Sequence, residues 1–516
     1  MKLTHRNIVV IFILSLGLLF VVSAWVGDDT YITMRVVDNF VHGYGLRWNI
    51  DERVQVFTHP FWMLLLLAGY AITRNAFLTI VGVSISVALL SVAVFLLRVP
   101  RTISTVVMGA VLLVLSKSFV DYSVSGLENP LTHLLLLLFL LIIFQRDNFS
   151  DRDIFLLSLS AGLATFNRMD TLLLFLPALV YIFWAHRSFR IFGLTAAGFL
   201  PFLLWELFSL AYYGFLLPNT FYAKLNTGVA ELALAKQGLA YFINSLKWDT
   251  LTLTVIGISL VFSFAQGKAR EKLIASGMIL YLAYVLYIGG DFMSGRFFSA
   301  PYFAAAFLLL RFFEGMDIKF TWLTSAVFLV LGLIVPLPTL VFPDENDTQQ
   351  AIRDFETIGV ADLKARAFQT SSLMAWRPGL EIFPNEKVTR RGLRYREEGK
   401  KVATEGTVGL VGFFGGSQLH LIDGYALADP LLARLPVENA ETWRPAHFSR
   451  RIPEGYIKTI ETGKDHLADP GLASYYEKLQ LVISGNLWTI ERWQAIWGLN
   501  MGRFDYLLEN YKASSN

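Results

Sequence analysis

The chain reads as a polytopic α-helical membrane protein, N-terminus inside and C-terminus outside, with an extracytoplasmic α/β domain after its last span. Three observations predict this. Hydrophobic residues make up 54% of the 516 positions and charged residues only 16%, where a soluble domain carries about a quarter. Apolar runs of spanning length recur up to about residue 341 and then stop. The basic residues of the short loops fall on one side of those runs. The net charge of +3 is too small to point to a nucleic-acid partner. Cysteine is absent, which removes disulfides, thiol nucleophiles and thiolate metal sites.

The first run, "MKLTHRNIVVIFILSLGLLFVVSAW", also scans as a signal peptide, with Val22, Ser23 and Ala24 as a small-residue cleavage site. An uncleaved anchor is preferred, because the same helix is needed to begin the bundle. Further runs follow at about 76 to 97, 102 to 117, 130 to 145, 154 to 167, 170 to 185, 190 to 213, 250 to 265, 272 to 288, 297 to 311 and 319 to 341. With the first helix this gives about eleven spans. "THPFWMLLLLAGYAIT", 58 to 73, is set apart as a short interfacial or re-entrant helix, since counting it as a span would reverse every later loop. Lys2, Arg6, Arg98, Arg101, Arg146, Arg152, Arg187, Arg190, Lys268, Arg270, Lys272, Arg311 and Lys319 then all lie at the cytoplasmic edge.

That parity leaves a compact polar motif on every outward loop: "GDDTY", "SGLENP", "FNRMD", "LPNTFYAK" and "GGDFMSGR". The expected division is residues 1–342 as the transmembrane domain, with an outer loop at 27–57 and the re-entrant segment at 58–73, and residues 343–516 as the outer soluble domain. In the latter, "GTVGLVGFFGG" reads as a buried strand ending in a glycine turn, and "LADPLLARLP" as a short helix capped by aspartate and stopped by proline. "LWTIERWQAIWGLNM" reads as an amphipathic helix whose Trp493 and Trp497 pack into their own domain, in preference to a position on lipid.

Asp28 and Asp29 alone would be helix-capping residues. Glu128, Asp170 and Asp291 occupy corresponding outward positions on three other segments, and a carboxylate inside the bilayer costs roughly 2.5 to 3.5 kcal/mol. Acids near span ends therefore converge on a polar cavity, where a carboxylate serves as general base or nucleophile, and Glu128, Asp170, Asp291 and the amide Asn219 are expected to bind substrate there. Arg168, Lys224 and Arg296 stand against the expected outward scarcity of positive charge, each near an acid or amide: Asp170, Asn219, Asp291. Guanidinium and ammonium groups at a membrane edge suit a lipid phosphate. His59, opening the short segment, joins them as a phosphate-orienting candidate beside the commoner role of a hydrogen-bonded helix-start histidine. No tight metal-ligand spacing, Walker loop or strand-embedded G-x-G-x-x-G is present. No cofactor is expected, and the donor of the reaction is expected to be a lipid.

The blocks "DDTYI", "GLENP", "NRMD", "LPNTFYAK", "GGDFMSGRFFSAP", "LIDGYALADPLLARLP" and "WRPAHFSRRIPEGY", in this order, resemble the terminal β-arabinofuranosyltransferases of the mycobacterial cell wall within the GT-C glycosyltransferase superfamily. One departure is Ala426, which stands where glycine is expected. The resemblance implies a GT-C fold in a bacterial cytoplasmic membrane with its active face outside. It implies a polyprenyl-phosphate donor carrying arabinofuranose, and a glycan hydroxyl as acceptor. It implies that Asp28 and Asp29 are catalytic, and that Trp443, Arg444 and His447 of the "RP-H" block help bind carbohydrate. Transfer of mannose or aminoarabinose, and movement of a lipid-linked sugar across the membrane, are the alternatives. A transporter would show inverted repeats, which the sequence lacks.

Overall fold

A computed structural model describes all residues except 1–4, 147, 187, 225–226, 381, 440–442 and 516. Lys2 and Arg187 lie outside the described residues. The chain is mostly helical, and packing divides it into two compact units. The first comprises Met1–Gly27, Phe77–Phe202 and Glu231–Leu380, and the second Asp28–Ala76, Leu203–Ala230 and Glu381–Asn516. Hydropathy and packing therefore cut the chain at different places: residues 343–380 pack with the apolar helices, and two earlier excursions join the C-terminal part.

In the first unit three single helices, His5–Ser23, Ala76–Arg98 and Arg296–Phe313, are long and apolar enough to cross a membrane. Among the described residues three bent pairs pass the same test together: Ile103–Leu115 with Lys117–Ser123 and Glu231–Trp248 with Thr250–Ala265 in the first unit, and Phe189–Gly198 with Leu200–Tyr212, whose residues from Leu203 on belong to the second unit. Shorter apolar helices include Asn129–Gln145 and Ile318–Leu333. Among the described residues these length criteria give three to six crossings against the about eleven read from the sequence, because many of the apolar runs are broken or short. Ser299–Phe313 is buried along almost its whole length, which makes it the axis of this unit. Residues 343–380 add two helices, Glu345–Ile358 and Leu363–Ser371. They are held by Trp248 Nε1 donating to Asp354 at 3.1 Å and by a bridge between Trp25 and Ser372.

The second unit is built around the helix Asp28–Val41, buried on every face from Thr30 to Val37 and packed against Pro60–Thr73 and Gly409–Gly415. Pro60–Thr73 opens with proline and closes on Arg74 in the left-handed conformation. Its 14 residues rise about 21 Å, short of the roughly 30 Å of a bilayer core. Two parallel strands, β1 (Val402–Glu405) and β2 (His420–Asp423), pair from Val402 with His420 to Glu405 with Asp423. The glycine-rich stretch between them corrects the sequence reading: Gly409–Gly415 is a helix, not a strand. Glycines at 409, 412 and 415 share one helical face. A Cβ at 409 would meet the Asp28 carbonyl oxygen at 1.9 Å, and one at 412 the Arg35 and Trp48 side chains at 2.7 Å. The glycines thus serve close helix–helix approach. "LADPLLARLP" does hold a short helical turn, Leu432–Arg434, with Asp429 Oδ1 accepting from Leu431 and Leu432 N–H. Ile490–Asn500 is helical, but Trp493 and Trp497 do not pack into the domain: they are 36% and 60% exposed, while Arg492, Ala495 and Ile496 are buried.

Candidate functional site

The candidate residues fall into two groups, one in each unit. In the second unit, the acid pair opens the Asp28–Val41 helix. Asp28 Oδ2 accepts from Gly409 N–H at 3.0 Å and its Oδ1 from Leu410 N–H at 2.7 Å, so this carboxylate is fixed by the amide end of the neighbouring helix. Burial, opposed by those two hydrogen bonds and reinforced by the charges of Asp29 and Glu386, pushes its carboxyl up to about 7. A carboxylate poised near neutrality is suited to accept a proton. Asp29, at the next position, is partly exposed.

The scaffold around the pair is polar and tightly bonded. Arg35, on the same helix, donates from Nε to Trp48 O at 2.9 Å and from Nη2 to Leu419 O at 2.5 Å, and stacks on Trp48 at 4.5 Å. Tyr31 meets Phe413 edge-on at 5.2 Å. His59 Nε2 lies 2.8 Å from Thr33 Oγ1, which ties the start of Pro60–Thr73 to the acid-pair helix, and Tyr70 OH donates to Asp38 at 2.6 Å.

Asn219 is a clamp within this unit. Its Nδ2 donates to the carbonyls of Ala426, Leu427 and Asp429 at 3.0, 3.1 and 3.0 Å. It fixes the "ALADPL" loop, in which Ala426 has φ of 62°; glycine is expected at that position because it takes the left-handed region without steric cost. Lys224 ends the short Asn219–Lys224 helix with an exposed side chain. Trp443, Arg444 and His447 form one tight turn: His447 N–H donates to Arg444 O at 2.9 Å, Trp443 stacks on Phe448 at 5.5 Å, and Tyr425 meets the His447 ring edge-on at 4.9 Å. The turn therefore sits against the "LIDGYALADPL" loop with Arg444 exposed.

In the first unit, five candidates from three separate loops meet in one chain of ion pairs. Glu128 is fully buried; its Oε1 accepts from Arg168 Nη1 at 2.6 Å and from Arg296 Nη2 at 3.0 Å. Arg168 Nε donates to both oxygens of Asp170 at 2.8 and 2.9 Å. Arg296 Nη1 reaches Asp291 Oδ2 at 3.4 Å, and the Arg168 guanidinium stacks on Phe297 at 4.6 Å. Three carboxylates alternate with two guanidiniums, so the network carries a formal charge of −1. Arg168 uses Nε and Nη1 in the described bonds and retains Nη2 donors for another acceptor.

A second network in this unit was missed from the sequence. Lys117 Nζ lies 3.1 Å from Asp121 and 3.0 Å from Asp362, and Lys364 Nζ lies 2.9 Å from Asp121. These groups line a small cavity with Ser294 and Gly295, the residues before Arg296. Lys117 ends the apolar run at 102 to 117 on the side that the sequence reading places outward, so the same charge anomaly that marks Arg168 would have marked it. Among the described residues, no three His, Asp or Glu side chains group as they would to hold a metal ion.

No family model matches the sequence, and no solved structure matches it. The chain is similar to the terminal beta-(1->2)-arabinofuranosyltransferase of Mycobacterium tuberculosis (strain H37Rv), at 28% identity over 325 residues, 54% of this chain and 51% of the relative. The chain thus spans about half the length of the curated relative it matches.

Proposed function

We propose that this chain is a membrane glycosyltransferase of GT-C type that moves a sugar, D-arabinofuranose, from a polyprenyl-phosphate donor to a hydroxyl of an extracytoplasmic glycan. The similarity to the mycobacterial arabinofuranosyltransferase carries the reading, and the chemistry of the two residue groups supports it. Asp28 is assigned as the base: its two oxygens are oriented by backbone amides and its carboxyl lies near 7. It takes the proton of the acceptor hydroxyl while the bond from the anomeric carbon to the phosphate oxygen breaks with oxocarbenium character. Asp29 holds that carboxyl up by its charge. Arg168 and Arg296 are assigned to the leaving phosphate, where guanidinium charge opposes the negative charge that develops; Lys224 and His59 keep the same assignment. Glu128, Asp170 and Asp291 fix the two guanidiniums, Asn219 fixes the "ALADPL" loop, and the Trp443–His447 turn is assigned to carbohydrate. The membrane is the bacterial cytoplasmic membrane, with about eleven spans, several of them broken or short, and the C-terminal part outside.

The test is purified protein in detergent, given a radiolabelled decaprenyl-phosphate arabinofuranose and an arabinofuranosyl acceptor. Label in the acceptor supports the reading. Transfer with a mannose or aminoarabinose donor instead corrects the sugar. Absence of transfer from all three, with movement of a lipid-linked sugar across vesicle bilayers, replaces the enzyme by a flippase.

A further inference from the structure

The Ile490–Asn500 helix combines two faces that a domain surrounded by water does not combine. Arg492, Ala495 and Ile496 are buried on one face. Ile490, Trp493, Trp497 and Met501, at intervals of three or four residues, lie along the opposite face and are 71%, 36%, 60% and 58% exposed. Trp488 before the helix is 76% exposed. The outward face of a helix in water carries charge; here two indoles, an isoleucine and a methionine make up most of it, with the exposed Gln494 among them and Glu491 at its edge.

The buried face is pinned to an apolar helix of the same unit. Arg492 donates from Nη1 to Ala211 O at 2.8 Å and from Nη2 to Tyr212 O at 3.0 Å, so its charge meets the C-terminal carbonyls of Leu200–Tyr212. Asn500 Nδ2 donates to Gly214 O at 2.9 Å. In the second unit, Leu200–Tyr212 exposes Leu203, Leu204, Leu207 and Phe208, and it is the second half of a bent pair apolar enough to cross a membrane. The tryptophan helix is thus fastened to the end of a lipid-facing helix. Indole, an apolar body with one N–H donor, concentrates at the level of lipid head groups.

We infer that the face formed by Trp488, Ile490, Trp493, Trp497 and Met501 lies in the head-group region of the bilayer that holds Leu200–Tyr212, and anchors the second unit to the membrane surface. This rests on Leu200–Tyr212 lying in lipid and is independent of any sugar-transfer activity.

The native chain has no cysteine, so single nitroxide labels can be placed without background. Trp493→Cys, Trp497→Cys, Leu207→Cys and Lys464→Cys proteins, the last at an exposed position of the second unit, are labelled and reconstituted in phosphatidylethanolamine–phosphatidylglycerol vesicles. Collision with oxygen is then compared with collision with a water-soluble nickel chelate. The oxygen-to-nickel ratio is expected to be several-fold higher at 493 and 497 than at 464, and to approach that at 207. A ratio at 493 and 497 equal to that at 464 overturns the inference, as does shielding from both reagents, which marks a protein partner. An aqueous ratio at 207 as well overturns it together with the placement of Leu200–Tyr212 in lipid.

Discussion

Asp28 is the residue on which structure and chemistry meet, because the same two amides that orient its carboxylate also bind two helices together. If it is the base, transfer rises with pH through the ionisation of a carboxyl near 7. Asp29 raises that value by its charge, so Asp29→Asn is expected to move the acid limb of the pH–rate profile to lower pH. An unmoved limb would dissociate Asp29 from the tuning. Gly409 faces the same contact from the other helix. A methyl group there would meet a backbone oxygen at 1.9 Å, and Gly409→Ala is expected to cost about 1 to 3 kcal/mol, read as a fall in the unfolding midpoint. At Ala426 the sign reverses. An L-residue at φ of 62° carries about 1 to 2 kcal/mol of steric cost, and Ala426→Gly, after glycine's own entropic cost of roughly 0.5 to 1 kcal/mol, is expected to raise stability by up to about 1.5 kcal/mol.

At the scale of elements, the ion-pair chain joins the start of the Asn129–Gln145 helix to the loops carrying Arg168 and Arg296. Glu128 is its centre, 1% exposed in its side chain and shared by both guanidiniums. Removing one member of a buried ionic network leaves its partners desolvated and uncompensated, at about 3 to 5 kcal/mol. Glu128→Gln is therefore expected to lower the thermal midpoint in detergent more than the exposed-pair variant Asp151→Asn does. Equal shifts would show that the network is solvated. This network was legible in the sequence because each member breaks a rule of membrane topology, an acid or base where apolar or neutral residues are cheaper. The Gly409–Gly415 helix was illegible for the opposite reason: glycine signals turns and strand ends in local sequence, and its use for close packing shows only against a partner helix far along the chain. The tryptophan helix was legible in its periodicity, but an apolar stripe looks the same whether it faces a core or lipid.

Across the whole molecule, what could not be read was the division into units, since segments 28–76 and 203–230 pack with a region that begins at 381. Such long-range pairing leaves no local trace. The second unit gathers buried carboxyls: burial pushes Asp28 and Asp423 up to about 7 and Glu52 up to about 8. Each value is raised above that of the unfolded chain, so each group's contribution is complete below about pH 4 and is lost as pH rises through 7 to 8. The unfolding midpoint is accordingly expected to fall between about pH 4 and pH 8, and Asp423→Asn to flatten that fall; a midpoint that rises over this range would contradict the burial of these groups. The central claim is lipid-donor sugar transfer dependent on the Asp28–Asp29 pair. Its most direct measurement is the rate at which radiolabelled arabinofuranose passes from decaprenyl phosphate to a glycan acceptor in detergent, for the native chain and for Asp28→Asn. Transfer by the native chain, reduced by about 10²- to 10⁴-fold in the variant, is the expected result; an unlabelled acceptor, or a variant with full activity, would contradict it.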